Sequence, residues 1–137
     1  MTIKQISVFL ENKFGKLSEI LSYLSEENIR IIAATVADTS DYGILRLITS
    51  DQQKTYQLLK EKQISVNLSE VFALEIEPHV DNFAETISCF TKAGIDIEYM
   101  YCFSYNSKAM LVLRTKNLNA AYDVVRKNNL NNLQEFY

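Results

Sequence analysis

Leu17-Ser18-Glu19-Ile20-Leu21 and Phe83-Ala84-Glu85-Thr86-Ile87 lie 66 residues apart, the interval from Glu19 to Glu85. The same offset, without a gap, sets Asn28-Ile29-Arg30-Ile31 on Gly94-Ile95-Asp96-Ile97 and Leu45-Arg46-Leu47-Ile48-Thr49 on Leu111-Val112-Leu113-Arg114-Thr115. Tyr56 meets Tyr122 in the same register. An offset shared by helical and extended patterns alike implies duplication of a whole domain, because a solenoid needs about three or more repeats. The boundary falls between Leu68 and Glu70, which gives domains at residues 1–69 and 70–137.

Within the first copy, Ile6, Val8 and Leu10 alternate with their neighbours at the period of a strand. Leu17, Ile20, Leu21 and Leu24 then recur at helical spacing. Residues 29–37 are β-branched and apolar, Tyr42-Gly43 closes a turn, and residues 44–49 continue as a second strand of a hairpin. Asp51 sits where an N-cap belongs, ahead of a helix carrying Tyr56, Leu58 and Leu59, and residues 64–68 return as a strand. The second copy predicts strands at 71–77, 95–105, 108–115 and about 130–136, with helices at about 82–93 and 118–128, the latter capped by Asn117. The order βαββαβ, twice, predicts an α+β protein of two tandem ferredoxin-like domains with antiparallel sheets. Leu17, Leu21, Ile29, Ile31 and Leu47 are expected in the core, with their counterparts in the second copy.

The chain has 137 residues, 47% hydrophobic and 23% charged, a composition that supports packed cores and argues against disorder. Its net charge of -3 is spread along the chain, with no basic cluster to neutralise a run of phosphates, so nucleic acid is not an expected partner. No apolar stretch reaches the roughly 18 residues of a membrane span, and the first residues lack a basic-then-apolar signal pattern. Cys89 and Cys102 have neither metal-ligand nor redox-motif spacing, which fits a reduced, cytoplasmic setting.

Glu11-Asn12-Lys13-Phe14-Gly15-Lys16-Leu17 resembles the acidic/Asn-x-Pro-Gly-x-Leu turn between the first strand and first helix of ACT domains, which are regulatory amino-acid-binding modules. The resemblance spans nearly the whole chain as a stand-alone tandem of two such domains, and residues 94–101 look like that group's second-repeat signature. Phe14 stands where the family prefers proline, and Asp81 stands where the offset from Gly15 calls for glycine. The resemblance implies a free amino acid held at the first turn by Asn12, Lys13, Phe14, Gly15, Lys16 and Leu17, facing a strand segment Glu98, Tyr99, Met100 and Tyr101. It implies a homo-oligomer, acting alone or on an unidentified regulated protein. Independently of the family, a glycine just before a helix lets the backbone turn tightly and a carboxylate approach the free N–H groups of the first turn.

The remaining signals are structural. Tyr99, Tyr101, Phe103 and Tyr105 alternate on one face of a strand, the pattern of a core or interface. His79 is the only histidine and has no companion ligands, so neither a metal nor a cofactor is implied. No nucleophile–base pair and no phosphate-binding glycine loop is present, so no catalytic residue is assigned and the chain is not expected to be an enzyme. The two functions in view are a ligand-binding regulatory module and a dimerisation module whose pocket is vestigial.

Overall fold

The structure is a computed structural model that describes residues 2–11, 15–38, 42–134 and 136. Strand β1, Ile3–Glu11, buries Ile6, Val8 and Leu10 on one face and exposes Phe9 and Glu11. Helix α1, Lys16–Glu26, leads to β2, Ile31–Asp38, and β3, Tyr42–Thr49. Helix α2, Gln52–Glu61, precedes β4, Val66–Ile76. The chain continues with α3, Val80–Lys92, β5, Ile97–Tyr105, and β6, Lys108–Thr115. It closes with α4, Leu118–Lys127, and the short β7, Asn131–Leu133.

The described residues divide into two compact units. One holds Lys4–Ser69 and Phe136; the other holds residues 70–134 with Thr2 and Ile3. In the first unit the strand order is β2-β3-β1-β4, with Val8 opposite Leu45 and Thr35 opposite Arg46. In the second, β5 and β6 pair, β6 pairs with the later part of β4, and β7 pairs with Ala73–Glu75 of that strand. Each unit is an antiparallel, ferredoxin-like α+β fold.

The 66-residue period extends to backbone detail. Helix α2 is capped by Asp51, whose carboxylate accepts the Lys54 N–H at 3.0 Å; α4 is capped by Asn117, which accepts the Ala120 N–H at 3.0 Å. Left-handed residues recur too: Asn28 and Gly94 after the first helix of each unit, with φ of 57° and 72°, and Gln63 and Asn129 after the second, with φ of 62° and 52°. Such residues end a helix by turning the chain out of its axis.

Ile6, Val8, Ile20, Leu24, Leu45, Leu47 and Leu59 form the first core, and Phe72, Leu74, Phe90, Leu111, Leu113 and Val125 the second. Burial of a large aliphatic or aromatic side chain contributes about 1.5–3 kcal/mol, so these clusters hold the units together. Leu47 is in the core and Ile29 packs at its margin, but Leu17 and Leu21 are each 37% exposed and Ile31 43% exposed. The apolar stripe of α1 is wider than the sheet beneath it. Ile20 and Leu24 point inward, while Leu21 sits about 100° round the helix from Ile20 and Leu17, nearly in line with Leu24, lies in the first turn.

Two boundaries also differ from expectation. The strands expected at 64–68 and 71–77 are one uninterrupted β4, because no Gly or Pro between Val66 and Ile76 breaks the extended backbone. The last strand is three residues long rather than seven, consistent with the weak strand preference of its asparagines. Among the described residues, no helix is long and apolar enough to cross a membrane.

Candidate functional site

Gly15 caps the N-terminus of α1 in the left-handed region, with φ 86° and ψ -3°. Among the described residues, a Cβ added there would meet nothing within 4 Å. The Gly15 carbonyl accepts the Glu19 N–H at 3.0 Å, which starts the helix, and glycine supplies no side chain to cap the earlier N–H groups. Uncapped N–H groups carry the positive end of the helix dipole and suit an anion. Lys16 adds a cation beside them, its ammonium 3.6 Å from the carboxylate of Glu19, three residues along the same face. Leu17 is partly exposed at the same end. Asn12, Lys13 and Phe14 lie outside the described residues.

The second turn is built differently. Helix α3 starts at Val80, two residues ahead of the position that matches Lys16, with His79 as N-cap and its carbonyl accepting the N–H groups of Asn82 and Phe83. The helix expected from residue 82 thus absorbs Asp81, whose carboxylate stands in the first turn. An acidic side chain there complements the dipole itself and repels an incoming anion.

On β5, burial alternates. Glu98 and Met100 are exposed, whereas Tyr99 and Tyr101 are half-buried, so the four residues divide between the two faces of the strand. The register of β5 against β6 shifts between Ile97 and Tyr99, which places Glu98 at a bulge. Gly15, Lys16 and Leu17 come together in one unit; Glu98 to Tyr101 belong to the other.

A family model described as an ACT domain pair matches residues 1–136. The chain belongs to that family. A crystal structure of a protein from Bacteroides thetaiotaomicron is 36% identical, with a TM-score of 0.90 over 97% of this chain and 92% of its own. The regulatory subunit of aspartate kinase from Thermus thermophilus, in its ligand-free form, has a TM-score of 0.61 at 12% identity, covering 90% of this chain and 91% of that one. The regulatory subunit from Thermus flavus is similar at 0.60 and 14%, covering 90% of each. At those identities the two kinase subunits share the fold. Comparison with curated proteins finds no match.

Within this ACT pair the cysteines take no catalytic posture. The Cys89 thiol donates to the Glu85 carbonyl at 3.3 Å, and desolvation pushes the Cys102 thiol above its ordinary pKa, away from thiolate. Among the described residues, no group of three His, Cys, Asp or Glu side chains is placed to hold a metal.

A feature that the turn motif did not flag lies in the second ACT unit. A groove of about 340 Å³ runs beside α3, lined by Glu75 and Glu77 of the strand end, Asn82, Glu85 and Cys89 of the helix, and residues 128–131 of the loop after α4. Glu77 is bonded to the Lys108 ammonium at 2.5 Å, which holds its carboxyl below the usual range. Glu75 accepts the Asn131 amide at 3.1 Å. The signal for this groove was present in the repeat, since Cys89 occupies the position of Tyr23.

Proposed function

We propose that this ACT pair, with domains at 1–69 and 70–137, is a non-catalytic regulatory module that binds a free amino acid at its first turn. The supporting observation is Gly15: a left-handed cap with nothing from the described residues within 4 Å of its Cβ position, at a helix start that no described side chain caps. The ligand carboxylate takes the first-turn N–H groups with Lys16 beside it, in a turn formed by residues 12–17. Glu98 is the carboxylate proposed for the ligand's ammonium, with Tyr99, Met100 and Tyr101 as its flanking residues. Only the first turn is assigned this role, because Asp81 places a negative charge at the start of α3. We place the module in the cytoplasm as a homo-oligomer, signalling to a regulated protein.

The test is a thermal-shift screen of the full chain against the common amino acids. A ligand at about a hundred times its Kd stabilises the fold by about 2.7 kcal/mol, a rise of several degrees in Tm. Gly15→Val, folded but with a branched side chain over the turn, is expected to lose that rise. A second reading, an interaction module with a vestigial pocket, is favoured by the exposed Leu17, Leu21, Ile31 and Val36. It prevails if no amino acid at millimolar concentration shifts the wild-type Tm, or if the variant keeps the full response.

A further inference from the structure

The two copies, compared position by position, differ where the groove beside α3 lies. In the first copy a tyrosine stands at the matching place. Tyr23 packs there against the core margin, its hydroxyl donates to Glu19 at 2.8 Å, and the Lys62 ammonium sits 4.9 Å from the ring centroid. The carboxylate raises the Tyr23 pKa by holding its proton. A cation over an aromatic face and a hydroxyl on a carboxylate are both favourable, so the first copy satisfies this corner with its own side chains.

In the second copy the carboxylate remains and its partners are gone. Glu85 matches Glu19, but Cys89 replaces Tyr23, Asn128 replaces Lys62 and Asn82 replaces Lys16. Glu75 stands in place of Phe9, which adds an acid. The ring is absent, and the groove of about 340 Å³ holds three glutamates and no lysine among its lining residues. Lys108 answers Glu77 and Asn131 answers Glu75, whereas Glu85 has no side-chain partner among the described residues.

We propose that this groove is a second ligand site, distinct from the first turn, and that it takes a small aromatic cation. The ligand's ring occupies the space vacated by Tyr23, and its ammonium or hydroxyl donates to Glu85, with Glu75 adding negative charge. The chemistry is read from the sister copy, where the matching carboxylate binds a phenol hydroxyl and an ammonium stacks on the ring. The acids alone would be a solvated patch; the seated ring and cation in the first copy identify what the groove accepts.

Tyramine, which carries a phenol and an ammonium, is the probe. It is titrated into the full chain labelled with nitrogen-15, with p-cresol as the uncharged ring. Saturable amide shifts are expected at Glu75, Glu85, Cys89 and residues 128–131, with weaker or no shifts from p-cresol. Glu85→Gln, an exposed and conservative change, is expected to weaken tyramine about tenfold. Cys89→Tyr, which restores the ring of the first copy, is expected to abolish binding. The proposal is overturned by the absence of saturable shifts up to about 10 mM, which would mark a solvent-filled groove, or by binding that Glu85→Gln leaves unchanged. Shifts confined to residues 15–17 would also overturn it, while leaving the reading of the first turn intact.

Discussion

The hydroxyls of Thr49 and Thr55 lie 2.8 Å apart, both buried, at the junction of β3 and α2. Gln52 completes the cluster: its carbonyl oxygen accepts from the Thr49 hydroxyl at 2.8 Å and the Thr49 N–H at 2.7 Å, and its amide donates to the Leu47 carbonyl at 3.2 Å. In the second copy Thr115 keeps the threonine, but Leu118 and Ala121 replace Gln52 and Thr55. The Thr115 hydroxyl is buried with no hydrogen-bond partner among the described residues. The same residue therefore has opposite energetics in the two copies.

Thr49→Val should destabilise by about 1–3 kcal/mol, because it leaves Gln52 and Thr55 short of a buried partner. Thr115→Val removes a hydroxyl that already bears its desolvation cost, so it should be neutral or stabilising. Chemical denaturation of both variants checks this. Equal losses would show that the second hydroxyl is satisfied.

Asn28 and Gly94 hold the same left-handed turn with different residues. Gly94→Val should cost about 1–2 kcal/mol, since a branched side chain is strained at φ 72°. Asn28→Gly should raise Tm slightly or leave it unchanged, because glycine adopts that region freely while loosening the unfolded chain. A Gly94→Val protein as stable as wild type would mean that the helix end rearranges.

The Glu77–Lys108 pair predicts a pH window. The folded pKa of Glu77 is lowered, first by the Lys108 hydrogen bond, so its contribution is present above the unfolded carboxylate pKa and is lost as pH falls through the folded value. The folded pKa of Lys108 is raised by the same bond, so its contribution is present below the unfolded lysine pKa and is lost as pH rises through the folded value. The Tm difference between wild type and Glu77→Gln should therefore be widest from about pH 5 to about pH 10 and close on both sides. It should be small throughout, since both side chains are exposed and screened. A difference that persists at pH 2 would place the effect in packing instead.

Much of this was legible before any coordinates. Period-2 and period-3.6 patterns located the strands and helices, and the 66-residue offset carried the caps Asp51 and Asn117 from one copy to the other. Burial on α1 was less legible, because Leu17, Ile20, Leu21 and Leu24 all read as one apolar stripe while only Ile20 and Leu24 are covered. Helical spacing gives the stripe but not how far the sheet beneath extends. The start of α3 was not legible because Asp81 stands where the offset from Gly15 calls for a turn glycine, yet an acid in the first turn is also helix-start chemistry. The groove was hidden because it lies in a difference between copies, whereas the 66-residue offset is visible only through what the copies share.

The apolar residues left uncovered on α1 and β2 set the last expectation, that of assembly. Leu17 and Leu21 stand one turn apart on α1. Val36, 48% exposed, lies opposite the buried Leu45 and so projects to the helix side of the edge strand β2. Single exposed aliphatic residues are ordinary, but several on a helix and on a strand that is at the sheet edge among the described residues offer both apolar area and backbone hydrogen-bonding groups to a second copy. Light scattering of the wild type should report a homodimer at micromolar concentration. Leu21→Glu and Val36→Lys should each shift the mass to the monomer, because a charge buried in an apolar interface is costly. Val80, 81% exposed at the start of α3, is the control: a lone exposed valine makes no patch, so Val80→Glu should leave the mass unchanged. A monomeric wild type, or dimers that survive both charged variants, would show that this face is not where the chains meet.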